Sequence, residues 1–111
     1  MVVNLLAAQR NDVTRLISAF LEDQDLNESN DYDGSTLLHV AAGHNSFEVV
    51  EFLVEKACVD IDNRDRHGLT ALDHAKESKN EKIIKYLQQA KRVYIKNQIT
   101  YRQVLEVQNK P

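Results

Sequence analysis

The chain has 111 residues and a formal net charge of −3, with 42% apolar and 28% charged residues, values typical of one soluble globular domain. Its apolar stretches are only a few residues long, too short to cross a bilayer, so we expect no membrane insertion. The start lacks the basic and apolar segments of a signal peptide, and the single Cys58 cannot form an intramolecular disulfide. Both features favour an intracellular, cytoplasmic location. Because Cys58 follows an apolar helical pattern, we expect its thiol to be buried.

Residues of the same type recur at a spacing of 34 positions. The repeated residues are Asp31, Gly34, Thr36, Leu38, Ala41 and Leu53, which return as Asp65, Gly68, Thr70, Leu72, Ala75 and Leu87. A fixed period of this length predicts a stacked array of small units. Such arrays bind partners along an extended surface and seldom carry catalytic groups.

The first unit, residues 2–29, is a faint copy of the others. Ala7 and Ala8 match the small residues of the later units, but Arg15 stands where the next unit has Val49. A polar residue at a stacking position suits a terminal unit with one face toward water. Residues 1–90 are therefore predicted to form one domain that begins with a polar-faced cap.

The second unit, residues 30–63, is predicted to contain two short helices. Thr36 can cap the first, because its hydroxyl accepts a hydrogen bond from an amide of the first turn. Asn45 and Ser46 interrupt this helix, and Ser46 supplies the N-cap of the next. The second helix is predicted from about Phe47 to Lys56, and its buried stripe comprises Val49, Val50 and Leu53.

The third unit, residues 64–90, copies this stripe as Ile83, Ile84 and Leu87. Asp, Asn and Gly favour turns, so Asn30–Gly34 and Asp62–Gly68 are predicted to be hairpin-like loops. A calcium loop starting at Asp60 would need Gly at its sixth position, where Asp65 stands. Asp60, Asp62 and Asp65 are accordingly expected to be solvated turn residues.

The last segment, residues 91–111, is predicted to be a basic and partly helical extension. It holds five basic residues and one acidic residue, whereas residues 1–90 hold nine basic and sixteen acidic ones. The extension could be solvated, or it could dock on the acidic body or on an acidic partner. Nucleic-acid binding is not expected, because the acidic body would repel phosphate.

Catalytic and metal-binding patterns are absent from the sequence. The histidines are His39, His44, His67 and His74, and no pair has the close spacing of a zinc site. We expect His39 to bond to backbone at a helix start and the others to lie on the surface. No serine or cysteine has the setting of a catalytic nucleophile. We therefore expect no catalytic, cofactor-binding or metal-binding residue, and the chain by itself is not expected to be an enzyme.

The segment from Asp33 to Ala42, followed by Glu48–Leu53, resembles the ankyrin repeat. The resemblance covers residues 4–90 and implies an all-α solenoid of about three stacked helix–turn–helix units with hairpin loops. It also implies protein–protein recognition. Three departures are the absence of Pro after Thr36 and Thr70, Asp73 in place of the usual His, and Asn45 and Lys79 in place of the usual Gly before the second helix. Lys is the poorer turn former.

A narrower resemblance links the chain to the ankyrin segment at the C-terminus of animal-type glutaminases. It is carried by Val2–Leu6, Asp12-Val13, Asp31–Asp33, His39–Ala42, Ala57–Val59 and Asp65-Arg66. The catalytic domain of those enzymes precedes the repeats, so the resemblance implies an accessory domain that aids enzyme assembly or partner binding. In that case the location would be mitochondrial. A free-standing interaction module remains the first interpretation.

In the ankyrin arrangement, loop tips and the exposed side of each first helix line a concave face. The positions expected to bind a partner protein are Tyr32, Asp33, Ser35, His44, Arg64, Arg66, His67 and Leu69. Tyr and Arg are frequent interface anchors. The mixed charges predict a polar contact, and association with a second copy of the chain is left open.

Overall fold

A computed structural model describes residues 2–90, and these residues form three pairs of antiparallel helices. The first five helices are α1 (Val2–Gln9), α2 (Val13–Leu21), α3 (Leu37–Gly43), α4 (Phe47–Glu55) and α5 (Ala71–Glu77). A further helix, α6, covers residues 81–90, and no strand occurs between residues 2 and 90. The predicted all-α solenoid is confirmed. The predicted partly helical extension, residues 91–111, lies outside the described residues.

The helix pairs stack in chain order. The first helix of the middle pair, α3, packs between α1 and α5, while α4 packs against α2. Small residues line the seam between the first helices: Ala8, Ala41 and Ala75 are completely buried, so the backbones can approach closely. Leu16, Val49, Val50, Leu53 and Ile83 fill the layer between the second helices and are likewise fully buried. No helix among the described residues is long and apolar enough to span a membrane.

The N-terminal pair turns a polar face outward, as expected for a terminal unit. Arg15 takes the position that Val49 fills in the next unit, and its side chain is 58% exposed, whereas Val49 is fully buried. Its guanidinium lies 3.7 Å from the carboxylate of Asp12. An exposed pair at this distance adds little stability. The main effect of Arg15 is therefore to give the terminal unit a polar surface that faces solvent.

Two positions after the end of each first helix, the chain has a residue in the left-handed region. Asn11, Asn45 and Lys79 have φ of 57°, 58° and 58°, and they are spaced by the 34-residue period. Asn tolerates this conformation, but Lys pays a steric penalty because its Cβ crowds the backbone. Lys79 is therefore a strained position, which agrees with the expectation that it is the poorer turn former.

The residues after these turns bond back to the preceding unit. Asn80 Nδ2 donates to Ala42 O at 2.8 Å, and Ser46 Oγ donates to Gln9 O at 3.3 Å. Ser46 does occupy the N-cap position of α4, but its hydroxyl makes no capping hydrogen bond. Ser46 thus has the expected position, but the expected capping hydrogen bond is wrong, because its hydroxyl bonds to the preceding unit instead.

The expectation that Cys58 is buried is also wrong. Helix α4 ends at Glu55, and Cys58 lies beyond it with φ of 53° and an exposed side chain. The left-handed residue turns the chain, so that the following Val59 is buried instead.

Candidate functional site

Two short loops project from the stack and are closed by backbone hydrogen bonds. In the first finger, residues 30–35, Asn30 N donates to Ser35 O at 2.7 Å. In the second finger, residues 64–69, Asp65 N donates to Leu69 O at 2.9 Å. The bend of each finger holds a glycine in the left-handed region, Gly34 with φ of 74° and Gly68 with φ of 77°. The predicted hairpin-like loops are therefore present, although they contain no strand.

The two fingers lie side by side and share hydrogen bonds. Arg66 N donates to Asp33 O at 2.9 Å, and the Arg66 guanidinium donates to Asp31 O at 2.6 Å. A Cβ on Gly34 would lie only 3.2 Å from Arg66 N, so the neighbouring finger would have to shift by a few tenths of an ångström to accept it. Gly34 therefore serves both the turn and the close approach of the neighbouring finger.

A buried carboxylate organises the second finger. The Asp65 side chain is only 4% exposed; its Oδ1 accepts from His67 N at 2.9 Å and from Leu69 N at 3.0 Å. Its Oδ2 lies 2.8 Å from His74 Nε2. Burial alone would raise the pKa of Asp65, but the hydrogen bonds from His74 and from the two amides outweigh it and lower that pKa to about 2. The expectation of a solvated Asp65 is wrong, because its carboxylate forms the base of the finger.

His39 links the second unit to the second finger. Its Nδ1 accepts from Thr36 N at 3.1 Å, and its Nε2 lies 2.9 Å from Leu69 O. Because a carbonyl can only accept, the proton of His39 lies on Nε2. The predicted backbone role of His39 is confirmed.

Asp73 takes the place of His39 one period later and caps α5 in the same way. Its Oδ2 accepts from Thr70 N at 3.0 Å, and this hydrogen bond is the main cause of the lowered pKa of Asp73. An ionised carboxylate has no proton to donate. Asp73 thus caps its own helix, but it cannot donate a hydrogen bond to a following unit in the way that His39 donates to Leu69 O.

The expected surface location of His74 is wrong. Its side chain is 28% exposed and pairs with Asp65, and its ring meets that of His39 edge-to-face at 5.4 Å. Ligand-type atoms of His39, Asp65 and His74 lie within 4.8 Å of one another. Sequence spacing did not reveal this cluster, because its members come from different units and His74 replaces a valine, Val40, of the preceding unit. Both nitrogens of His39 and Nε2 of His74 already take part in hydrogen bonds, so a metal could bind only by breaking them.

Most positions expected to contact a partner are open to solvent. Tyr32 is 85% exposed at the tip of the first finger. Arg64, Arg66 and His67 are exposed on the second finger. His44 is exposed at the end of α3, with its Nδ1 2.9 Å from Val40 O.

Two of the expected positions have structural roles instead. Ser35 is only 8% exposed, and both its amide and its hydroxyl donate to the carboxylate of Asp33, at 3.0 and 2.7 Å. The hydrogen bond donated by the backbone amide of Ser35 is the main cause of the lowered pKa of Asp33, and Asp33 is itself half-buried. Leu69 is also half-buried and contributes its backbone to Asp65 and His39. We therefore leave Ser35 and Leu69 out of the surface offered to a partner.

The remaining positions define the finger surface: Tyr32, Asp33, His44, Arg64, Arg66 and His67. The helix pairs and the projecting fingers together define a repeat solenoid that offers loops and helix ends for recognition. A model of the family described as ankyrin repeats, in three copies, matches residues 5–98. The chain belongs to the ankyrin-repeat family, whose domains are generally non-catalytic.

Similar proteins include glutaminases of distant animals. The mitochondrial liver isoform of mouse is 43% identical over 88 residues, 78% of this chain and 14% of the mouse protein. The Caenorhabditis elegans protein named glutaminase 2 is 37% identical over 83 residues, 75% of this chain and 14% of its own length. The Arabidopsis thaliana potassium channel GORK is 43% identical over 63 residues, 57% of this chain and 8% of the channel. The resemblance to a glutaminase ankyrin segment is confirmed, and the chain spans about one seventh of those glutaminases.

Proposed function

We propose that this domain is a non-catalytic module that binds another protein through the finger surface and the adjoining concave face. The observation that carries the proposal is Tyr32, an aromatic side chain left 85% exposed beside the second finger. The first finger is held by hydrogen bonds to Arg66. An aromatic ring on an ordered loop loses little conformational entropy on binding, which is why such residues serve as anchors.

The test is capture of partners by the immobilised domain, with the retained proteins identified by mass spectrometry and their affinity then measured. Tyr32→Ala combined with His67→Ala should weaken binding of a retained partner without changing the melting temperature. Leu21→Ala is the control, because Leu21 is 78% exposed and belongs to helix α2, not to a finger. Equal binding by the finger variant, or a loss caused by Leu21→Ala alone, would contradict the proposed surface.

A second candidate function is that of an accessory domain of a glutaminase, aiding assembly of the enzyme or binding of a partner. It is supported by the two glutaminases, which match this chain over three quarters of its residues. The natural reading frame tests it. A serine-dependent amidohydrolase domain upstream would support the role, and imaging of the full protein should then show a mitochondrial location. A frame without such a domain would contradict this candidate and leave the first one standing.

A further inference from the structure

We propose that the second finger recognises an acidic segment of the partner, with aspartate or glutamate carboxylates pairing with the guanidinium groups of Arg64 and Arg66. The inference rests on the proposed function and adds the chemistry of the partner.

Both guanidinium groups are exposed and are held in place by backbone carbonyls. Arg64 Nη1 donates to Gly68 O at 2.9 Å, and Arg66 Nη2 donates to Asp31 O at 2.6 Å. One such bond restrains the side chain but leaves most of its five N–H groups available. Each arginine can therefore still form a forked pair with a carboxylate, and less rotamer entropy is lost on binding because the chain is already restrained.

The carboxylates of Asp65 and Asp33 are already occupied by other groups, and Asp73 is near enough to Arg64 for the charge of the arginine to help lower the pKa of Asp73. Asp65 lies between Arg64 and Arg66 in the chain, and its buried carboxylate is taken up by His74 and by two finger amides. The carboxylate of Asp33 accepts from Ser35. The ion pairs found within residues 2–90 join Arg15 to Asp12 and His74 to Asp65, and neither includes Arg64 or Arg66.

The overall charge of the domain does not itself attract an acidic partner, so binding depends on Arg64 and Arg66. Residues 1–90 hold nine basic and sixteen acidic side chains, so the long-range field of the domain repels an acidic partner. At physiological salt that field is screened beyond about 8 Å, whereas direct guanidinium–carboxylate hydrogen bonds persist. Recognition should depend on these two side chains and not on net charge.

The repeat also suggests what accompanies the acidic residues. Arg66 and Tyr32 occupy the same position on neighbouring fingers, one period apart, and Tyr32 is open to solvent. An extended partner segment that crosses both fingers would meet the guanidinium and the aromatic ring in turn. We therefore expect an acidic residue near an apolar or aromatic one.

The test selects phage-displayed random peptides on the immobilised 111-residue chain. Enriched peptides should carry clustered Asp or Glu, and their affinity for Arg64→Ala/Arg66→Ala should fall about tenfold or more, because each charged hydrogen bond is worth roughly 1.5–3 kcal/mol. Arg10→Ala/Arg15→Ala removes the same charge from the first unit and should leave the affinity unchanged. Arg64→Lys/Arg66→Lys keeps the charge but loses the planar fork and should bind with intermediate affinity.

The outcomes separate this inference from the proposed function. Enriched peptides without acidic residues, or peptides that bind the alanine pair as well as the wild type, would overturn the inference while leaving a protein-binding surface in place. No enriched peptide, together with no captured protein, would contradict both. Melting temperatures are measured for every variant, and if the alanine pair proves unstable, equal binding by the lysine pair and by the wild type overturns the forked pairing.

Discussion

The carboxylate of Asp65 and the imidazole of His74 meet at 2.8 Å between Oδ2 and Nε2, joining the base of the second finger to helix α5. The preceding unit has no such contact, because Val40 stands in the place of His74 and the corresponding Asp31 is exposed. The pair therefore strengthens one finger only, the one that carries the two exposed arginines.

The first prediction concerns acid stability. The pKa of Asp65 is about 2 in the folded protein, against 3.8 for the ordinary side chain. A lowered pKa contributes stability that is fully present above the unfolded value and is lost as the pH falls from about 4 toward 2, here about 2 kcal/mol. Asp65→Asn should be less stable than wild type near neutral pH, and the difference should shrink in acid. Urea melts of both proteins between neutral pH and about pH 2 measure the difference in their free energies of unfolding. A difference that does not change with pH would contradict the role given to the carboxylate.

The two finger glycines should respond differently to alanine. Gly68→Ala meets nothing within 4 Å, so only the left-handed backbone is strained, at about 1–2 kcal/mol. Gly34→Ala carries the same strain and also approaches Arg66 N at 3.2 Å, so its free energy of unfolding should fall further. Denaturant melts of the two variants isolate the contact between fingers. Equal losses would show that the fingers can separate without cost.

Lys79 offers a stabilising substitution. Its φ of 58° is strained for a side chain with a Cβ, and Lys79→Gly should raise the free energy of unfolding by about 0.5–1 kcal/mol after the added freedom of the unfolded chain is subtracted. Lys76→Gly is the matched control, because Lys76 is exposed within helix α5. The control should lose about 1 kcal/mol. Opposite signs in thermal melts would confirm the strain, and a loss in both would refute it.

The core stripe predicts a large effect at Leu53. This side chain is completely buried, and Leu53→Ala should cost about 2–5 kcal/mol by leaving a cavity between second helices. Leu21→Ala removes the same atoms from a side chain that is 78% exposed and should change stability little. Similar losses from both would mean that Leu21 is covered in solution.

The sequence predicted the features that obey the period. The burial of Val49, Val50 and Leu53 followed from helical spacing, and the cap at Thr36 followed from its hydroxyl. These features depend on local propensity and on burial, both of which leave a repeating pattern.

Features that break the period escaped prediction. The link between Asp65 and His74 arises where the third unit departs from the second, so no repetition announced it. Ser35 was expected at the surface, but the neighbouring Asp33 captures its hydroxyl and draws it inward. Cys58 was placed by extending an apolar pattern past Glu55, where the helix in fact ends. Each miss concerns a side chain whose position is decided by one specific partner or by a helix end.

The hydrogen bond from His39 to Leu69 O has a consequence for any shortened version of this domain. The shape of the second finger depends on His39 and on the carbonyls of Asp31 and Asp33, all supplied by the unit before it. A fragment starting at residue 64 would keep every residue of the finger and lose all three anchors. The smallest part that would preserve the shape of this finger is thus a pair of adjacent repeats, because a single grafted loop would keep the bond from Arg64 to Gly68 O but lose the carbonyl that holds Arg66.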